Sequence, residues 1–196
     1  MISIYNLKPR FQKFLKPLLE ALHHLRITPN MITIYSVLVS LVIGISLWLN
    51  LGKYVLLLAP IGLIFRMMLN ALDGMMASAY HLKSKKGEVY NELGDVLSDL
   101  FIYIPLIKVT GHLPVILLFV ILSVLNEFAG ILSKAVSGVR RYDGPMGKSD
   151  RAFLVGLYLL LLFFGLPMNQ FTNYIFAGAS LLIIAGTVLR LTKAIK

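Results

Sequence analysis

No cysteine occurs in the 196 residues, which excludes a disulfide framework and any thiolate metal site. Charged residues are scarce, 14% of the chain against 58% hydrophobic, and a soluble domain has no means of hiding so much apolar surface. Acidic residues are scarcer still: 9 Asp and Glu stand against 19 Lys and Arg, a net charge of +10. Such an excess can serve nucleic acid, but here the basic residues lie in short segments between apolar runs. That distribution suits a membrane surface and argues against a nucleic-acid partner. The 4 histidines, His23, His24, His81 and His112, show no ligand-like spacing and are read as interfacial. No low-complexity linker or tandem repeat is evident. Residues 1–26 lack a continuous apolar core and carry Lys8, Arg10, Lys13, Lys16 and Arg26 throughout, unlike a cleavable leader.

What the chain does have is hydrocarbon. Mean hydropathy is +0.80, and six apolar stretches fall at about 31–51, 55–80, 89–110, 112–136, 150–168 and 171–191. Each approaches the ~20 residues that a bilayer crossing needs. Ahead of them, Phe11, Phe14, Leu15, Leu18, Leu19 and Leu22 recur at helical spacing with lysines opposite. This pattern predicts an amphipathic helix lying at the headgroup level. The expected fold is all-α integral membrane: six transmembrane helices preceded by an interfacial helix, with residues 1–27 interfacial and 28–196 the membrane domain. A tight turn is expected at Gly111–His112, between the third and fourth spans. The N-terminal segment, the Lys83–Lys86 loop, the Lys134–Arg151 segment and the tail are basic, so both termini are expected in the cytoplasm.

Carboxylates interrupt these runs at Asp73, Asp95 and Asp99, although one at mid-span costs roughly 2.5–3.5 kcal/mol. Arg66, Asn70, Asp73 and Ala77 fall on one face of the second span, and Glu88, Asn91, Asp95 and Asp99 on one face of the third. If those faces meet, Asn70, Asp73, Asn91 and Asp95 converge, with Arg66 and Asp99 about one turn deeper. Arg66 and Asp99 are either a buried ion pair or, through Asp99, an extra cation ligand. Gly74, Ala77, Ser78 and Ala79 leave space beside the carboxylates, for helix packing or for a ligand.

These residues resemble the CDP-alcohol phosphotransferases, integral membrane enzymes that make phospholipids. The family pattern D-x-x-D-G-x-x-A-R-x8-G-x3-D-x3-D is matched by Asn70, Asp73, Gly74, Ala77, Ser78, Gly87, Asn91 and Asp95 without insertion, and "TPNMIT" at 28–33 resembles the family's entry signature. The resemblance implies a transferase that attacks a CDP-alcohol, CDP-diacylglycerol being the natural donor in a bilayer, with an acceptor hydroxyl and releases CMP. It implies Mg²⁺ or Mn²⁺, one or two ions, on Asn70, Asp73, Asn91 and Asp95, with Asp95 as general base. It implies nucleotide contacts at Asn70, Gly74, Ala77, Ser78, Ser84 and Gly87, and acceptor-phosphate contacts among Lys134, Arg140, Arg141 and Arg151. A bacterial-type inner membrane, a small phosphorylated or hydroxyl acceptor and a homodimer are implied as well.

The departures are Asn70 and Asn91 in place of two bridging aspartates, and Ser78 in place of the arginine. Two divalent ions would then outnumber the negative charges, an imbalance of several kcal/mol per charge, order of magnitude, in a low-dielectric site. Three outcomes follow: substrate diphosphate supplies the missing charge, Asp99 or Glu88 joins the ligands, or the site holds one metal or none. The functional alternatives are a catalytically impaired homologue that binds nucleotide or lipid, and a membrane transporter using the buried carboxylates. Arg140, Arg141, Lys148 and Arg151 could form an anion pocket or simply obey the positive-inside bias. Asn126 and Glu127 are expected to make an interhelical bond, and Asp143 and Asp150 to partner the arginines.

Overall fold

Thr28 and Pro29 start the first long helix by complementary means. The Thr28 hydroxyl accepts a hydrogen bond from the Met31 N–H at 3.3 Å, and Pro29 brings no N–H that needs a partner. That helix is the second of eight α-helices among the described residues, 8–196, of the computed structural model. In chain order they are α1 Lys8–His24, α2 Pro29–Trp48, α3 Val55–Ala79, α4 Lys85–Tyr103, α5 Leu106–Thr110, α6 Leu113–Ser137, α7 Lys148–Phe163 and α8 Thr172–Ala194, the last entered through a 3-10 turn at Met168–Phe171. Residues 1–7 of the expected interfacial segment, and the side chains of Lys8 and Arg10, lie outside the described residues.

Four segments are long and apolar enough to cross a membrane: Pro29–Trp48, Val55–Ala79, Leu113–Ser137 and Met168–Ala194. They match the first, second, fourth and sixth expected runs. The third run, 89–110, is divided. Pro105 lacks an N–H and ends regular pairing there, so the run becomes α4 and the five-residue α5. The fifth run is α7, 16 residues long or about 24 Å. These two less apolar helices are sheltered by neighbours, α4 by α2 and α6, and α7 by α3.

Gly111, at φ 74°, closes α5 and turns the chain into α6, as the Gly111–His112 spacing predicts. Gly44 has a different duty. A Cβ there would strike the Phe101 carbonyl, so α2 and α4 approach each other through a bare backbone. Gly44→Ala is expected to lower stability by about 1–3 kcal/mol by forcing these helices apart. Thermal unfolding of the detergent-solubilised protein measures this, and an unchanged Tm would show the contact to be slack.

Four rings, in spatial order Tyr103 from α4, Phe119 from α6, Phe176 from α8 and Tyr158 from α7, meet with successive centroids 5.1–5.3 Å apart in tilted or edge-on pairs. This apolar floor lies one turn along α4 from Asp99. At the other end α1 packs Leu15 and Leu19 against Leu69, Leu72 and Met76 of α3. Phe14 and Leu18, on the same predicted stripe, are instead 74% and 40% exposed. Between α1, α2 and α3 runs an apolar groove of about 560 Å³ lined by Leu22, Ile32, Tyr35, Phe65 and Leu69 among others.

Candidate active site

Helical spacing of three and four places Asn70 beside Asp73 on α3 and Asn91 beside Asp95 on α4. The two pairs engage crosswise. Asn91 Nδ2 donates to Asp73 Oδ2 at 3.2 Å, and Asn70 Nδ2 donates to Asp95 Oδ1 at 3.2 Å. The polar faces therefore converge, but α3 and α4 each pack mainly on α2 and not tightly on one another. Helix α2 contributes the remaining donors. Thr33 Oγ1 donates to Asp73 Oδ2 at 2.8 Å, and Ser36 Oγ donates to Asn70 Oδ1 at 2.6 Å. From the start of α7, Lys148 Nζ donates to Asp95 Oδ1 at 2.5 Å. Asp73 is 3% exposed, and its Oδ1 is buried with no partner among the described residues.

Beneath this layer lies a network of ions. Arg66 Nη2 meets Asp99 Oδ1 at 2.8 Å, so these two residues form the buried ion pair. Arg151 Nη2 bonds Asp99 Oδ2 and Glu127 Oε1, each at 2.8 Å, and Arg151 Nη1 donates to the Met146 carbonyl at 3.1 Å. Arg140 clamps Glu92 through Nε and Nη2 at 2.6 and 2.7 Å and reaches Glu127 Oε2 at 3.0 Å. From α8, Arg190 donates to the Asn126 carbonyl at 2.6 Å. Unpaired charges at this depth cost several kcal/mol each, and mutual neutralisation removes most of that penalty.

Of the two alternatives for Arg66 and Asp99, this layer shows the ion pair, with a second guanidinium also on Asp99. It corrects the expectation for Arg151. Arg151 does not line an open anion pocket: it is fully buried and its Nη groups are engaged beneath the carboxylates. Glu127 proves to be the acidic hub of the network, and Asn126 bonds α8 through the Ile183 carbonyl and Thr187, the interhelical role expected of both. Asp150 partners no arginine among the described residues but caps α7 by accepting from the Gly147 N–H at 3.1 Å. Asp143 pairs with Lys193, whose hydrogen bond holds the Asp143 carboxyl below the usual carboxylate range.

The remaining candidates lie around the mouth. Gly74 is exposed, and a Cβ on it would meet nothing within 4 Å, so open space adjoins Asp73. Ala77 is half-buried and Ser78 exposed on the same helix. Ser84 caps α4 by accepting from the Gly87 N–H at 3.0 Å, and Gly87 passes close to Asn30 of the entry signature. Lys134 pairs with Glu88 near the surface. Arg141 donates to the Lys193 carbonyl at 3.3 Å and has no carboxylate partner among the described residues. Lys148, expected only as a member of an anion pocket, sits on Asp95; Glu92 on Arg140 and the Thr33 and Ser36 donors have no counterpart in the expected site.

No group of three or more His, Cys, Asp or Glu suited to a metal occurs among the described residues. The donor set offers oxygen atoms of the kind a divalent cation takes. Asp73 Oδ1 is a buried, unpartnered anionic oxygen suited to a hard cation. Asn70 directs its NH₂ at Asp95 and has its oxygen on Ser36, and Lys148 places a positive charge on Asp95.

A family model described as CDP-alcohol phosphatidyltransferase matches residues 26–189. The inner membrane protein YnbA of Escherichia coli (strain K12) is 37% identical over 184 residues, 93% of this chain and 92% of that protein. The fold is similar to that of Mycobacterium tuberculosis phosphatidylinositol phosphate synthase (PgsA1) in complex with manganese and citrate, at TM-score 0.76 and 18% identity, over 92% of this chain and 88% of the other. It is equally similar to PgsA1 with CDP-DAG bound, at TM-score 0.76 and 18% identity, over 93% and 94% of the two chains.

Proposed function

The chain belongs to the CDP-alcohol phosphatidyltransferase family, and from that premise we propose that it transfers a phosphatidyl (phospho-alcohol) group from a CDP-alcohol to a small hydroxyl acceptor, releasing CMP. The observation that carries this reading is the crosswise Asn70–Asp95 and Asn91–Asp73 pairing at the family motif, which leaves Asp73 Oδ1 and Asp95 Oδ2 without hydrogen-bond partners among the described residues. CDP-diacylglycerol is the proposed donor. The apolar groove beside Leu69, next in sequence to Asn70, supports a lipid donor, as does the CDP-DAG bound to PgsA1.

In the reaction the acceptor oxygen forms a bond to the phosphorus that bears the alcohol. The bond from that phosphorus to the CMP oxygen breaks, and CMP leaves with the electron pair. The hydroxyl proton passes to Asp95 Oδ2, since Oδ1 already holds Lys148 and Asn70. Gly74, Ala77, Ser78, Ser84 and Gly87 border the nucleotide, Gly74 by leaving room for it. One Mg²⁺ or Mn²⁺ on Asp73 and the Asn91 carbonyl would neutralise diphosphate charge. An anionic acceptor meets Arg141 and competes with carboxylates for Lys134 and Arg140, while Arg151 braces the site from below. In this reading α4 with α5, and α7, complete six crossings in a bacterial-type inner membrane, with α1 at the headgroups and both termini in the cytoplasm. The N-terminal interfacial segment, 1–27, and the membrane domain, 28–196, act as one unit.

The test is CMP release from CDP-diacylglycerol by the purified chain with a panel of small polyols and their phosphates, lipid products being identified by mass spectrometry. CMP formation that needs both donor and acceptor is expected. Asn70 and Asn91 favour the second reading, a binding homologue without turnover. Stabilisation by CDP-diacylglycerol with no CMP across the panel would select it.

A further inference from the structure

Lys148 and Arg151 lie three residues apart on one face of α7, and Asp95 and Asp99 four apart on one face of α4. The two faces are in register: Lys148 meets Asp95 and Arg151 meets Asp99. Arg151 is fully buried, and its bonds to Asp99 and Glu127 fix the rotation of α7. Asp150 secures the first turn through the Gly147 N–H. The Lys148 ammonium is thus delivered to Asp95 by a braced helix end, while its side chain keeps 28% of its surface open to an incoming anion.

We propose that Lys148 is a tethered substitute for the second divalent cation, so that the site holds one metal ion and one ammonium. The proposal rests on the CDP-alcohol reading above and specifies its charge. Two ions and Lys148 would bring five positive charges against four from Asp73, Asp95 and a bound diphosphate; one ion and Lys148 bring three. In a low-dielectric site the excess positive arrangement is the unfavourable one for holding cations. The amides agree with this. Asn70 and Asn91 turn N–H donors toward the carboxylates, an orientation that favours the carboxylates without a bridging ion between them. The ammonium, once a diphosphate arrives, remains hydrogen-bonded to Asp95 and donates its other protons to phosphate oxygens, as three-donor lysines do at phosphate sites.

Mn²⁺ bound per chain is counted by electron paramagnetic resonance with excess CDP-diacylglycerol, whose diphosphate carries the two charges counted above, and CDP affinity is measured by calorimetry for wild type, Lys148→Met and Lys148→Arg. One Mn²⁺ per wild-type chain is expected. At saturating Mn²⁺, Lys148→Met should weaken CDP binding about tenfold to hundredfold, the loss of one charge-assisted hydrogen bond, and Lys148→Arg should restore most of it. Two Mn²⁺ or none on the wild-type chain overturns the proposal, as does undiminished CDP affinity in Lys148→Met. The wild-type count decides even if Lys148→Met fails to fold. A wild-type chain that binds Mn²⁺ but no CDP overturns the CDP-alcohol reading itself.

Discussion

Asp95→Asn is expected to reduce CMP release by about 10²–10⁴-fold while donor KM does not rise. The amide keeps the shape of the carboxyl and a hydrogen-bonding oxygen where Lys148 and Asn70 now donate. It cannot accept a proton, so the acceptor hydroxyl has no base. It also removes a negative charge beside the diphosphate, which leaves donor binding as tight or tighter. The split matters. A residue that only ordered the helices would move KM and stability together, whereas a base moves the rate alone. Steady-state CMP release with donor and acceptor varied separately measures both. A variant that retains more than about a tenth of the wild-type rate would remove Asp95 from proton transfer.

The helices were legible wherever a local signal existed. Thr28-Pro29 announces the start of α2, Gly111 the turn before α6, and the pure apolar runs of α2, α3, α6 and α8 their own lengths. Where hydropathy is mixed, the sequence showed less. α4 and α7 survive as helices because α2, α3 and α6 cover them, and no window of local hydropathy records what a neighbour covers. Pro105 stood in the third run as a plain breaker, but the surrounding Leu, Ile and Val masked it.

The site divides the same way. Intervals of three and four put Asn70 with Asp73 and Asn91 with Asp95, and the structure joins those pairs crosswise. The Arg66–Asp99 pair was legible for the same reason: each lies four residues beyond a member of the cluster. Contributions from other helices were not legible. Thr33 and Ser36 look like ordinary hydroxyls in an apolar span, and only the seat of α2 against both acidic helices turns them inward. Lys148 stands in a basic loop-to-helix junction that the positive-inside bias already accounts for, whereas Arg151 was expected to reach inward, but toward an acceptor phosphate. The carboxylates that both residues meet depend on the rotation of α7, and that is set by Asp99 and Glu127, 52 and 24 residues away from Arg151.

Arg151→Met should destabilise the protein by about 3–5 kcal/mol, the loss found when one partner leaves a buried ionic network. Methionine matches the stem of arginine in length and leaves little void, so lost packing contributes little. What changes is charge. Asp99 keeps Arg66 but loses its second guanidinium, and Glu127 keeps Arg140 at 3.0 Å with Arg190 only at 3.9 Å. The Met146 carbonyl also loses its donor. Lysine is no remedy: one guanidinium bridges two carboxylates on two helices and a backbone carbonyl, while an ammonium is a compact point with a shorter reach. Lys134→Met, which breaks a half-exposed pair with Glu88, should by contrast change stability by less than about 1 kcal/mol. Denaturant unfolding in mixed micelles compares the variants, and an Arg151→Met protein within about 1 kcal/mol of wild type would refute a structural role for the network. If the role holds, the same substitution loosens the first turn of α7, so at temperatures where the variant still folds its CDP affinity should fall toward that of Lys148→Met.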